Sequence, residues 1–177
     1  EGRAGRGRPT GVSSPGVSAQ ARPSGTPSPE PTDTVPDGYT LRRDPAGFQL
    51  AVPDGWRRHG ENARGQVRYT SGDLELVVVP GRDTTREFGT DPMAYQTEDE
   101  PELASYRSSE WASAGGFREI EVGGRRMVEG EFTWREADGR RLFARNRVLL
   151  LDGRYHLVLV IGPVSDRAEV AEHLRQT

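Results

Sequence analysis

The sequence predicts an α+β fold, an antiparallel sheet with helices packed on it, arranged as a three-layer α-β-α sandwich. Three observations point there. From residue 39 onward, apolar residues alternate in short segments separated by turns bearing Gly and Asp. A stretch of helical spacing interrupts these segments after Asp91-Pro92, and another closes the chain. The longest strand segments carry apolar residues on both faces, and two apolar faces need two covering layers.

Residues 1–38 stand apart from that pattern. They hold seven of the 13 prolines and seven of the 22 glycines, and no aromatic, Leu, Ile or Met. Such a segment has too little apolar surface to offset the entropy of ordering it. It reads as a disordered Pro/Gly/Ser-rich linker, with a reach on the order of 100 Å if extended as polyproline II. Its opening EGRAGRGR is basic, which suits a membrane-proximal position. Residues 39–177 hold every Phe, Trp and Tyr and form one globular domain. The chain opens Glu-Gly-Arg without a charged and apolar leader, so it is expected to be a segment of a larger precursor.

The strands follow in order. Tyr39–Arg42 and Phe48–Val52 flank Asp44-Pro45-Ala46-Gly47. Gln66–Thr70 and Asp73–Val79 flank Ser71-Gly72; a two-residue loop there sets Tyr69 opposite Leu74, Val67 opposite Leu76 and Arg68 opposite Glu75. Asp91-Pro92 starts a helical excursion in which Leu103, Tyr106, Arg107 and Trp111 share a spacing. Pro101 is a second start or a kink, and Gly115-Gly116 the end. Phe117–Val122, Arg126–Glu136, Arg141–Leu151 and Arg154–Ile161 are further strands.

Across Ala137-Asp138-Gly139 a three-residue loop with Gly139 left-handed pairs Phe132 with Ala144 and Trp134 with Leu142. It also sets Glu131 against Arg145 and Glu129 against Arg147. The register across Gly123-Gly124 stays open. The inner face carries Val128, Phe132, Trp134, Val148, Leu157, Leu159 and Ile161, with Leu149, Leu151, Val158 and Val160 on the other. Trp111 and Trp134 are expected in the core. A last helix begins near Ser165-Asp166, with Val170, Ala171 and Leu174 on one face.

Composition excludes several chemistries. Without cysteine there is no disulfide framework, thiolate metal site or Cys nucleophile. All 24 basic residues are arginine, which removes Schiff-base and P-loop lysine chemistry. A formal net charge of −3 gives no reason to expect a nucleic-acid partner. The apolar runs Val148–Leu151 and Leu157–Ile161 fall far short of a membrane span. His59, His156 and His173 show no metal-ligand spacing, and no nucleophile–base arrangement is visible. The acidic cluster Glu98-Asp99-Glu100 with Glu102 lacks a calcium-loop spacing and reads as helix-start charge. No catalytic residue, metal or cofactor is expected. The candidate for ligand binding is a cationic strip on one sheet face, Arg145, Arg147 and His156, with Glu partners opposite both arginines.

Residues 48–56 carry a family resemblance. Phe48-x-Leu50-x-Val52-Pro53-x-Gly55-Trp56 ends a strand on a proline turn and sends Trp56 back over the sheet as an anchor. With Tyr39 before it, the excursion 91–113 and the closing helix, it resembles the opening of the Mog1/PsbP-like (LpqN-like) superfamily. In particular it is similar to the extracytoplasmic C-terminal domains that follow Pro-rich linkers in actinobacterial membrane serine/threonine protein kinases. The resemblance implies an α-β-α sandwich that binds rather than catalyses, on the extracytoplasmic face of the membrane. The implied function is a sensor or interaction module for an unknown envelope ligand or protein, with self-association as a further mode. The membrane would be reached only through the parent's upstream span or lipid anchor. The alternative is a free-standing envelope lipoprotein of the same fold; what precedes Glu1 separates the two.

Overall fold

The structure, a computed structural model, describes residues 35–177. The expected linker therefore lies outside the described residues except for its last four, which form the turn into the first strand. There the Tyr39 N–H donates to the Pro36 carbonyl at 3.1 Å. Strands β1 (Tyr39–Arg43) and β2 (Gln49–Pro53) form a separate antiparallel hairpin. Pro53 closes β2 opposite Tyr39, one residue later than expected, and the Trp56 N–H returns to its carbonyl at 3.4 Å. That turn drops Trp56 into the core, where its ring meets His173 edge-on at 4.9 Å.

Seven antiparallel strands make the main sheet: β3 (Arg57–His59), β4 (Val67–Ser71), β5 (Leu74–Thr84), β6 (Ser113–Val122), β7 (Arg125–Arg135), β8 (Arg141–Leu151) and β9 (Arg154–Pro163). Their order is β3-β4-β5-β9-β8-β7-β6. The β7–β8 register is the expected one in every pair: Phe132 faces Ala144, Trp134 Leu142, Glu131 Arg145 and Glu129 Arg147. Gly139 closes the three-residue loop at φ +89°. Across Gly123-Gly124 the loop has two residues, setting Val122 opposite Arg125.

The β4–β5 register differs from expectation. Tyr69 lies opposite Leu76 and Val67 opposite Val78, because Gly72-Asp73 and not Ser71-Gly72 forms the loop. Gly72 sits at φ +56°, the first central position of a tight hairpin turn, where a side chain is disfavoured. The slip is two residues, so every side chain keeps its face. Arg68 still reaches Glu75 diagonally, at 3.2 Å.

Both sheet faces are covered, as the two apolar faces require. One meets the β1–β2 hairpin and α4 (Arg167–Gln176); Leu50, Val52, Trp56, Leu76, Phe143, Val160, Val170 and Leu174 pack there. Gly162 allows the approach: a Cβ on it would lie 2.5 Å from Leu74 and 2.9 Å from Val170. The other face carries Val128, Phe132, Trp134, Val148, Leu157 and Leu159, with Ile161 at the margin. The excursion covers it.

That excursion is more broken than its spacing suggests. After α1 (Thr85–Phe88), Asp91 caps α2 (Pro92–Ala94), its Oδ1 accepting from Met93 N–H at 3.0 Å. A π turn spans Tyr95–Asp99, and Pro101 holds Glu100 extended, so helix resumes only in a 3₁₀ turn and α3 (Ala104–Ser108). Trp111 does not continue it. Ser109 Oγ donates to the Arg135 carbonyl at 3.1 Å and accepts from the Arg135 N–H at 3.2 Å, drawing the chain to the end of β7. Trp111 is consequently 68% exposed, against its expected place in the core, whereas Trp134 is 3% exposed as expected. Gly115-Gly116 lies inside β6 at a bulge rather than at a helix end.

Candidate functional site

The site begins with an irregularity in β5. Pro80 pairs with His156 but Asp83 with Tyr155, so two extra residues bulge out at Gly81 and Arg82. Gly81 takes φ +70° there, with His156 and Arg154 packed against it. The bulge turns the Arg82 guanidinium across the sheet to the excursion. It meets Asp83 through two bonds, Nε–Oδ1 at 2.9 Å and Nη2–Oδ2 at 2.7 Å. It meets Glu102 through two more, at 2.9 and 2.7 Å, and donates to the Arg64 carbonyl at 2.8 Å. Gln66 Nε2 adds a bond to Glu102 at 2.6 Å.

These contacts join two walls. One is the loop between β3 and β4, carrying Asn62, Arg64 and Gln66; the other is Pro101–Ser105. Between them lies a cleft of about 940 Å³ with Val77, Leu159 and Ile161 as an apolar floor. Arg64 and Arg68 stand at its rim, Arg68 sharing Glu75. An apolar floor under a few fixed polar groups is the usual form of a small-ligand site. Because both walls are bonded to the same guanidinium, little ordering remains for a ligand to impose.

Asp83 also accepts from the Tyr95 hydroxyl. Burial works to raise the Asp83 pKa, but the Arg82 and Tyr95 bonds outweigh it and hold it below the usual carboxylate value. Burial, then the bond to Asp83, raises Tyr95. Tyr95 stacks flat on Tyr155 with centroids 4.1 Å apart, which docks the π turn onto β9.

Glu100 lies one turn away, fully buried. Its Oε1 accepts from Asn146 Nδ2 at 2.5 Å, and Asn146 Oδ1 accepts from Gln96 Nε2 at 2.8 Å. Glu100 Oε2 has no hydrogen-bond partner among the described residues. Burial, with Glu102 adding to it, pushes the Glu100 carboxyl well above its usual range. The folded state thus holds a proton that the unfolded chain releases above about pH 4.3. This contribution is complete below that pH and erodes as pH rises toward the folded value. Glu100→Gln is expected to be more stable than the parent, with a gap widening by up to ~1.4 kcal/mol per pH unit above about pH 4.3. Urea unfolding of both proteins at several pH values measures that gap; a gap independent of pH would contradict a neutral Glu100.

The acidic cluster therefore divides: Glu102 binds Arg82, Glu100 is buried within the Asn146 network, and Glu98 and Asp99 face solvent. The strip Arg145, Arg147 and His156 lies on the opposite sheet face, toward α4. Glu129 receives Arg147 at 2.9 Å and Arg145 at 3.9 Å, and Glu131 lies 3.5 Å from Arg145. Arg147 also reaches the Leu174 carbonyl at 3.4 Å. His156 sits beside Gly81 and opposite Leu149; burial, then the charge of Arg154, lowers its pKa. Spacing does not bring the cleft residues together, since Arg64, Arg82 and Glu102 come from three separate segments. The one local signal for Arg82 is Pro80-Gly81 interrupting a strand run, which marks a bulge.

Cyanobacterial PsbP from Synechocystis sp. PCC 6803 superposes with a TM-score of 0.53 at 16% identity, covering 76% of this chain and 86% of its own. That likeness shows the α+β fold of PsbP type. LpqN of Mycobacterium tuberculosis, described as involved in cell envelope biogenesis, gives a TM-score of 0.45 at 14% identity over 77% of this chain and 85% of its own. No curated protein matches the chain significantly. Residues 40–177, nearly the whole described region, match the family model of the serine/threonine kinase C-terminal domain. That match spans well over half of the chain, and the chain belongs to the serine/threonine kinase C-terminal domain family.

Proposed function

We propose that this domain is the extracytoplasmic ligand-binding module of a membrane-bound serine/threonine protein kinase, and that it binds rather than catalyses. The observation that carries the reading is the family match over residues 40–177, which puts the domain C-terminal in kinases and favours this parent over a free-standing lipoprotein. The cleft supports binding. Its polar groups are guanidiniums, amides and two carboxylates already paired, Glu102 with Arg82 and Glu75 with Arg68, a set suited to recognising an acidic or carbonyl-rich ligand at Arg64 and Arg68. Among the described residues no helix is long and apolar enough to cross a membrane, so attachment in this reading falls to the parent chain. The Pro/Gly/Ser composition of residues 1–38 supports a flexible tether, which would pass on proximity between copies rather than a rigid movement.

The test is autophosphorylation of the intact parent in cells treated with a wall-synthesis inhibitor. Deleting residues 39–177, or Arg64→Glu with Arg68→Glu, is expected to abolish the response while leaving basal activity in detergent unchanged. An identical response with and without residues 39–177 would sink the reading.

A further inference from the structure

Trp111 contributes little to the core, yet it is held firmly. It is 68% exposed although the Arg135 guanidinium lies over its ring, 5.5 Å from the centroid, so one face of the indole is open to solvent. Its mount is fixed. Ser109 Oγ contacts the Trp111 carbonyl and N–H, each at 3.2 Å, as well as both main-chain groups of Arg135. Beside the ring runs a groove of about 450 Å³ between α3 and the β7–β8 loop. Glu110, Glu136 and the serines at 105, 108 and 109 line it with Trp111 and Arg135, and Ala137 is the one aliphatic residue among them. Glu136 is itself positioned, its Oε1 accepting from Trp134 Nε1 at 3.3 Å. Ser105 lines this groove and the large cleft alike, so the two adjoin.

We propose that this groove binds a neutral glycan, with one sugar ring stacked on the open face of Trp111. A pyranose offers an apolar C–H face and a rim of hydroxyls. The first matches a rigid indole, and the second matches carboxylate and hydroxyl acceptors at its edge. A peptide would need apolar pockets for its side chains, and apart from the Trp111 ring the groove offers Ala137 as its one aliphatic residue. An acidic sugar is disfavoured, because two carboxylates face the groove and its single arginine already covers the indole. The adjoining cleft allows a chain several residues long to continue past Ser105. This site goes beyond the receptor reading and stands whether or not the domain reports to a kinase; its test leaves the autophosphorylation test untouched.

The experiment titrates the 177-residue chain with chitotetraose, cellotetraose and tetragalacturonate, reading tryptophan fluorescence and calorimetric heat. At least one neutral tetrasaccharide is expected to bind saturably. Trp111→Ala should weaken it by roughly tenfold or more, and Trp111→Tyr should stay within about threefold of the parent. Both variants should melt with the parent, since the ring is exposed. Absence of neutral binding at about 10 mM sugar overturns the proposal. So does binding that Trp111→Ala leaves unchanged, or binding of tetragalacturonate alone.

Discussion

Arg82→Ala is expected to destabilise the domain by about 3–5 kcal/mol, a large share of the 5–15 kcal/mol that ordinarily holds a domain folded. The reason is what the guanidinium leaves behind. The side chains of Glu102 and Asp83 are only 4% and 9% exposed, and each takes two of its bonds from Arg82. Removing the cation strands two carboxylates out of water. Arg82→Lys should recover little, because one ammonium cannot serve two carboxylates in the fork geometry that four separate N–H bonds provide. Arg82→Met with Glu102→Gln should recover more, since one of the two buried carboxylates is neutralised with its partner. Urea unfolding measures the cost, and hydrogen exchange of amides 95–108 locates it in the excursion. A loss below about 1 kcal/mol for Arg82→Ala, the range of an exposed pair, would mean that the cleft walls are held by something else.

What the sequence reveals here follows how local the cause is. The β7–β8 register was legible because turn chemistry fixes it: Ala137-Asp138-Gly139 has the left-handed glycine where a three-residue loop needs it, and the Glu–Arg pairs agree. The β4–β5 register missed by two, because Gly72 fits either central position of a hairpin turn until its φ is known. Trp111 looked like core because it continues the spacing of Leu103 and Tyr106. What ends the helix is Ser109 bonding to Arg135 on another strand, a contact with no trace in local periodicity. Arg82 and Glu102 are harder still. A bulge aims the one and a proline break places the other, and their meeting is a property of the folded chain.

Asp44→Ala is expected to cost about 3 kcal/mol and to loosen the β1–β2 hairpin from the sheet. Asp44 ends the strand before the hairpin loop, and its carboxylate is fully buried. It accepts from Arg58 Nε at 2.8 Å and Nη2 at 2.9 Å, from the Tyr69 hydroxyl at 2.5 Å and from the Ala46 N–H at 2.9 Å. One carboxylate thereby fastens the hairpin to β3 and β4. The bond from Arg58 chiefly, with Tyr69 and the Ala46 N–H adding to it, lowers its pKa to about 2. Burial first, then the bond to Asp44, pushes Tyr69 up to about 12. The sign follows from the depressed carboxylate. Unfolded Asp titrates near 3.9, so the stabilisation is complete above that pH and is lost as pH falls through about 2. The difference in unfolding free energy between the parent and Asp44→Asn should therefore shrink by about 2 kcal/mol between pH 6 and pH 2. Asp44→Asn keeps the size of the side chain and one acceptor, so it separates lost charge from lost packing. A difference that stays constant over that range would show that Asp44 acts through shape alone, and that the Arg58 pair contributes nothing to holding the hairpin.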